Sequence, residues 1–370
     1  MEKYLITLFL FAQSLAFSQV NVDSLRLIWE DETQVDTIRL KAVHEIAWDG
    51  FLYTQLDSAL YYAQEEYDFA HLREKESWRS KALNSLSVIF WLKSDYLKAI
   101  QLNNANIDLY RKLGDQNGLA KAYSNLGNIF LDKGELYKSL KFLKKGLILN
   151  QENKNELGIA KSLNNIGVLY ARVGNDSIAL DYYIKSLKLK NKLDIHNVSP
   201  TLINIGNVNA NQNNLDDALD YFEKAIKLFE DSNLIGIASV LNNMGEIYTL
   251  QGEHTQALGA LNKSLMLIKK VANKKGEAKT SNTLGAYYES IGNYADALHF
   301  YEEALSISEL IVDKIGIVEN RNRLGSIYQK QKLYTKAIKN SRIALLMAKK
   351  LGTKKKFVIP IKYYTRVMLQ

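Results

Sequence analysis

The sequence predicts an all-α chain built as a solenoid of antiparallel helix pairs, and three observations carry that prediction. Small residues recur at a spacing of about forty: Gly127, Gly167, Gly206, Gly245, Gly285 and Gly325 lie 40, 39, 39, 40 and 40 apart, and Ser87 and Ala47 extend the series backward. A second series, Ala59, Ala99, Ser139, Ala179, Ala218, Ala257, Ala297 and Ala337, keeps the same spacing in register with the first. Only two prolines, Pro200 and Pro360, stand in 370 residues with 20 glycines and 47% hydrophobic residues, which leaves little room for β-turns. A period of this length marks stacked supersecondary units that share a core.

In chain order, the first element is the stretch MEKYLITLFLFAQSLAFSQ. It has an early charge at Lys3, an apolar run from Tyr4 to Ala12, and small residues at Ala16 and Ser18. That is the layout of a secretory signal peptide over residues 1–18, cleaved after Ser18, and the run is too short to cross a bilayer. The expected location is therefore periplasmic or secreted. The lack of cysteine fits an exported chain without disulfides and excludes a lipid-anchored cysteine at the cleavage site. No later stretch holds about 18 uninterrupted apolar residues, so no stable membrane insertion is expected.

Residues 19–39 lead into the repeats. From 40 to 352 about eight units are expected, starting near 40, 80, 120, 160, 199, 238, 278 and 318, the first of them degenerate. Before each first-series residue stands a leucine or a relative, as in Leu126, Ile166, Ile205, Met244, Leu284 and Leu324. Three residues after it comes an aromatic, Phe90, Phe130, Tyr170, Tyr248, Tyr288 or Tyr328, with Asn209 as the exception. Four residues beyond the second series come Tyr183, Phe222, Leu261 and Tyr301. Bulky groups at this spacing describe two amphipathic helices per unit, with a small residue where they approach closely. Glycines in pairs such as Gly134-Glu135 and Gly174-Asn175 end the first helix of each pair.

The pattern LNNIGVLY followed by NDSIALDYYIKSL resembles the tetratricopeptide repeat (TPR). The usual repeat is about 34 residues; the longer unit here resembles the kinesin-light-chain-like branch. The extra residues fall between the second helix of one unit and the first of the next, often with a glycine, at Gly118, Gly158, Gly236, Gly276 and Gly316. The resemblance implies a right-handed superhelical solenoid whose first helices line a concave groove. The remaining residues, 353–370, form a basic tail or part of a capping helix, with Ile361, Tyr364 and Met368 at helical spacing.

With the Leu-Gly pair at positions 7 and 8, positions 4, 7, 8 and 11 face the core and positions 2, 5, 6, 9, 12 and 13 face the groove. Position 5 holds Asn84, Ser124, Asn164, Ile203, Asn242, Asn282 and Asn322; position 6 holds Ser85, Asn125, Asn165, Asn204, Asn243, Thr283 and Arg323; Asn128 stands at position 9. An amide offers a donor and an acceptor, which is what a peptide backbone presents in return. The expected peptide-binding residues are Asn125, Asn128, Asn164, Asn165, Asn204, Asn207, Asn211, Asn242, Asn243 and Asn282. The resemblance adds that some tetratricopeptide superhelices hold peptides with such a ladder. The alternative is that these amides bracket adjacent units.

The fifth unit departs most from the pattern. In NIGNVNANQNNLDD, Asn204, Asn207 and Asn211 form a stripe on one helix face, and Asn209 takes an aromatic slot. Asn197 takes the inter-unit glycine slot, and Pro200 stands near a helix start, where proline is tolerated. The stripe reads as a ligand contact or hinge, and Asn209 as drift of a weaker repeat.

The net charge of +8 belongs to one end: from Ser341 to Gln370 there are eight basic residues and no acid, which leaves the rest formally neutral. Nucleic-acid binding by the main body is therefore not expected. The five histidines, His44, His71, His196, His254 and His299, share no repeat phase and read as surface or cap residues. There is no His-Glu-x-x-His motif, nucleophile elbow or phosphate-binding glycine loop, so no catalytic residue, metal or cofactor is expected. Two functions fit: a non-enzymatic scaffold that binds an extended peptide or protein segment, or the sensory region of a signal-transduction protein whose membrane and output parts, a histidine kinase or helix-turn-helix regulator, are absent from this chain.

Overall fold

The computed structural model describes residues 21–193, 198–229 and 233–350. The expected signal peptide over 1–18, the tail from 353, His196 and Asn197 lie outside the described residues. Every regular element among the described residues is helical. They fall into two compact units, 21–118 and, from 119 onward, the remainder to 350.

The N-terminal unit holds α1 (Val22–Glu30), α2 (Asp36–Glu45) running into a π-helical turn (Ile46–Phe51), α3 (Leu56–Leu72), α4 (Glu76–Leu92) and α5 (Tyr96–Leu113). The lead-in is thus largely helical. Its core gathers Ala47, Leu52, Ala59, Ala63, Leu86 and Ile89. Where the first series has Ser87 in place of glycine, the hydroxyl donates to Ala99 O at 2.9 Å, across the close approach of α4 and α5. His44 corrects the expectation of a surface role. Its Nδ1 lies 3.0 and 3.1 Å from the two Glu66 oxygens, and Glu66 is 0% exposed. Trp48 stacks on the imidazole and Trp78 meets it edge-on. Burial raises the Glu66 pKa, and His44 holds the rise back. His71, His254 and His299 are exposed.

The larger unit runs from α6 (Gln116–Asp132), whose first turn contains the boundary, through α7 (Leu136–Glu152), α8 (Glu156–Arg172), α9 (Asp176–Lys192), α10 (Ser199–Asn211), α11 (Leu215–Lys227), α12 (Leu234–Gln251), α13 (His254–Lys270), α14 (Lys274–Ser290), α15 (Tyr294–Leu310), α16 (Lys314–Lys330) and α17 (Tyr334–Lys350). First and second helices alternate. Pro200 sits in the first turn of α10, as its missing N–H allows.

The paired small-residue series has a direct cause. A Cβ built on Gly167 would lie 2.6 Å from the Tyr183 ring, one on Gly206 2.6 Å from Phe222, and one on Gly285 2.6 Å from Tyr301. Each glycine is the floor on which the bulky residue of the second helix rests. The second-series alanines Ala179, Ala218, Ala257 and Ala297 are fully buried beside them.

Two details differ from the sequence reading. Gly158, Gly236, Gly276 and Gly316 stand in the first turn of α8, α12, α14 and α16, not between helices. Their amides are capped by Asn155, Asn233, Asn273 and Asp313 at 2.9, 3.0, 2.8 and 3.2 Å. A Cβ at Gly158 would strike Asn150, and one at Gly276 would strike Ile268, so the residue is small because the preceding helix ends against it. The extra length therefore goes into helix. Second, Tyr170, Tyr248, Tyr288 and Tyr328 are half-buried. Tyr170 stacks on Tyr182 at 5.6 Å and Tyr288 on Phe300 at 5.5 Å, while the Tyr328 hydroxyl donates to Glu302. A phenol whose hydroxyl needs water or a partner settles at the edge of the core.

Candidate functional site

In the larger unit, α8 touches α10, α10 touches α12, α12 touches α14 and α14 touches α16, whereas among the described residues no successive second helices meet as closely. The first helices crowd together, so they line the inner side of this stack. Their asparagines fall into three groups.

Two amides have no protein partner among the described residues: Asn128 on α6 and Asn165 on α8, both half-buried. Asn211, at the end of α10, is exposed. A second group is half engaged, bridging neighbouring repeats. Asn164 Oδ1 accepts from the Thr201 hydroxyl at 3.1 Å and from Asn204 Nδ2 at 3.3 Å. Asn207 Oδ1 accepts from Asn243 Nδ2 at 3.0 Å. Asn282 Nδ2 donates to Asn320 Oδ1, and Asn320 in turn donates to Ser308 Oγ at 3.2 Å. Each of Asn164, Asn204, Asn207 and Asn282 thereby keeps one end of its amide unused.

The third group is bonded or buried. Asn243 accepts from Lys279 Nζ at 3.3 Å as well as donating to Asn207. Asn125 is half-buried with a partner of its own. Asn242 departs from its expected place on an open face: it is 1% exposed, donates to Glu246 at 3.1 Å, and leaves its buried Oδ1 without a partner. The next repeat's Thr283 hydroxyl bonds the same Glu246 oxygen at 3.2 Å, so position 5 here faces the neighbouring repeat. Asn209 is buried and donates back to Ile205 O at 3.0 Å, filling the aromatic slot with a bond to its own helix.

Sequence reasoning did not single out Thr201, Lys190, Lys279 or Asn320, which complete these bridges. Lys190 carried a usable signal. Its counterparts in other pairs are Tyr110, Asn150, Phe229, Ile268 and Ser308, which pack on the glycine of the next helix, and a lysine stands out among them. It is 6% exposed, and burial together with Lys161 lowers its pKa. Glu319 on α16 has a raised pKa, from burial first and Asp313 second, held back by Arg323, Lys279 and Lys275. Its side chain still reaches solvent, with basic neighbours around it. Further along, a shallow depression of about 460 Å³ lies among Ala286, Glu289, Tyr294, Arg323 and Lys330. There Glu289 pairs with Lys330 at 2.7 Å and accepts from the Tyr301 hydroxyl at 2.8 Å.

Among the described residues no group of His, Asp or Glu is placed to hold a metal ion. No described helix is long and apolar enough to cross a membrane.

The family model of the tetratricopeptide repeat matches residues 118–192, 158–231 and 236–309. The chain belongs to the tetratricopeptide-repeat family. No curated protein matches this tetratricopeptide-repeat chain. Among solved structures it is similar to a Rap protein complexed with competence and sporulation factor, at 13% identity over 93% of this chain and 99% of that one, TM-score 0.63. It is similar also to the Rap conjugation gene regulator of plasmid pLS20 in complex with a Phr peptide, at 12% identity over 90% and 98%, TM-score 0.61. The quorum sensor NprR from B. thuringiensis, in its apo form, matches at 15% identity over 88% and 97%, TM-score 0.60. At these identities the likeness is one of fold.

Proposed function

We propose that this tetratricopeptide-repeat protein is a non-enzymatic scaffold that binds an extended peptide, or an extended segment of a partner protein, along the first-helix face of its larger unit. The observation that carries the reading is the set of amide groups on that face with no protein partner among the described residues: all of Asn128 and Asn165, and one end each of Asn164, Asn204 and Asn207. Half-buried donors and acceptors that face a groove can exchange water for a ligand, and a peptide backbone supplies both kinds. Two of the similar structures are described as complexes, one with competence and sporulation factor and one with a Phr peptide, which fits a groove of this kind.

The test is the affinity of a peptide obtained by display selection on the protein, measured for single and combined alanine variants. Asn128→Ala and Asn165→Ala should each weaken binding by about 0.5 to 1.5 kcal/mol. The two lie in different repeats with no shared partner, so their effects should add. Each should change folding stability by less than about 1 kcal/mol. Salt should matter little, because a bond between amides involves no net charge. A quadruple variant, with Asn204→Ala and Asn207→Ala added, that binds as tightly as the parent would remove this face from consideration.

We further propose that the protein acts outside the cytoplasm, on the Lys3 to Ser18 layout. Intact mass of the protein from its native host should correspond to a chain beginning at Gln19; a full-length cytoplasmic product would overturn the proposal.

A further inference from the structure

Lys190 on α9 is buried against α10, and its Nζ donates to Thr201 Oγ1 at 2.8 Å. An ammonium has protons and no lone pair, so the threonine oxygen can only accept from it. The hydroxyl proton is then free to go onward, and among the described residues the group it meets is Asn164 Oδ1 at 3.1 Å. This bond favours oxygen at that end of the Asn164 amide, a choice that interatomic distances alone do not make. Asn204 donates its Nδ2 to the same oxygen at 3.3 Å. The atoms left over are the Asn164 Nδ2 donor and the Asn204 Oδ1 acceptor.

A second lysine, on α14, acts in the same sense on the next bridge. Lys279 Nζ donates to Asn243 Oδ1, which turns Asn243 Nδ2 toward Asn207 Oδ1 and leaves Asn207 Nδ2 as an open donor. Along Asn164, Asn204 and Asn207 the face therefore reads donor, acceptor, donor. The fold does not ask for a cation at Lys190, since the same place is filled elsewhere by tyrosine, asparagine, phenylalanine, isoleucine and serine. Among the described residues no carboxylate pairs with it, and its hydrogen bond goes to the Thr201 hydroxyl.

We propose that Lys190 is a positioning residue of the peptide-binding face: through Thr201 it holds the Asn164 and Asn204 amides in a single orientation, so that the face offers a fixed donor-acceptor-donor pattern to an extended backbone. This rests on the peptide-binding reading above. Replacing the ammonium by an apolar group frees the Thr201 hydroxyl, and both amides then become able to flip.

The test begins without any ligand. Side-chain amide signals of Asn164 and Asn204, assigned from Asn164→Asp and Asn204→Asp spectra, are recorded by NMR in the full chain. The parent should show one set, with the Asn204 amide protons exchanging more slowly than those of Asn164. Lys190→Met should give a second set or averaged signals at both sites. Thr201→Val should do the same by removing the relay, and Thr201→Ser should restore the parent pattern. Thr201→Val also keeps the proposal testable if Lys190→Met does not fold. In the second step the display-selected peptide is titrated into the folded variants, and Lys190→Met and Thr201→Val should weaken it about tenfold. Unchanged amide signals in both variants would overturn the proposal. So would flipped amides with unchanged affinity, because the amides would then not meet the peptide. Neither result depends on the quadruple asparagine variant, whose failure would instead bear on the groove itself.

Discussion

Phe222→Ala is expected to lower the free energy of unfolding by about 3 to 5 kcal/mol. The ring is 1% exposed and lies on the open backbone of Gly206, among Leu202, Ala218, Ala225, Val240, Met244 and Ile247. These residues come from α10, α11 and α12, so the ring joins one helix pair to the next. Truncation removes its buried area and leaves a void that small neighbours cannot fill. In a repeat array, where each pair is held by its neighbours, such a loss is transmitted to the adjacent pair. The converse change, Gly206→Ala, places a Cβ 2.6 Å from the same ring and should cost about 1 to 3 kcal/mol by overpacking. Tyr170→Ala is the control, because its ring is half-buried and stacked on Tyr182 at the edge of the core. Urea unfolding followed by helix signal orders the three. Equal losses for Phe222→Ala and Tyr170→Ala would mean that the glycine floor is not where the packing energy resides.

The second large effect belongs to the N-terminal unit. His44→Ala leaves the Glu66 carboxylate 0% exposed without its hydrogen-bonded partner, and stranding one member of a buried pair costs about 3 to 5 kcal/mol. The loss should depend on pH with a definite sign. Burial already raises the Glu66 pKa, while His44, first by its hydrogen bond and then by its charge, and Lys81 lower it. Without His44 the folded-state pKa rises further. Between the unfolded-state pKa and this raised value the folded state binds more protons than the unfolded one, so stability falls as pH rises through that window and returns on acidification. The destabilisation of His44→Ala should therefore shrink as pH is lowered from neutral toward the ordinary glutamate pKa of about 4.3. Glu66→Gln removes the titration, and the double variant His44→Ala, Glu66→Gln should be more stable near neutral pH than His44→Ala alone. Unfolding monitored by the fluorescence of Trp48 and Trp78, which flank the imidazole, reports on this site. A pH-independent deficit would show that the cost comes from lost packing.

The repeat architecture was legible because its causes are local. Gly167 and Tyr183 belong to one helix pair, sixteen positions apart, and a close approach between them needs a glycine whatever the rest of the chain does. The same is true of the caps: Asn155 bonds the amide of Gly158 three residues on, and the pattern recurs at Asn233, Asn273 and Asp313. Sequence periodicity placed these glycines correctly in phase but between helices. The constraint that moves them inside is the end of the preceding helix, which only packing reveals.

His44 and Glu66 were not legible as a pair, since one is 22 residues from the other and neither keeps a repeat phase with another ionisable group. The asparagines mark the limit most clearly. The spacing of Asn125, Asn165, Asn204 and Asn243 placed them on one side of successive first helices, because helical phase is a property of the sequence itself. Phase does not say whether an amide is spent. Asn165 and Asn243 share a position, yet among the described residues the first has no protein partner and the second is bonded at both ends, to Lys279 and Asn207. An amide can donate and accept with equal ease, so its direction is decided by neighbours that are remote in sequence and adjacent in space. By itself the sequence determined the helix pairs, their register and the face that carries the ladder. Which amides remain available, and which end of each is presented, was decided only by the tertiary structure, where a donor such as the buried Lys190 ammonium leaves its neighbours a single way to complete their hydrogen bonds.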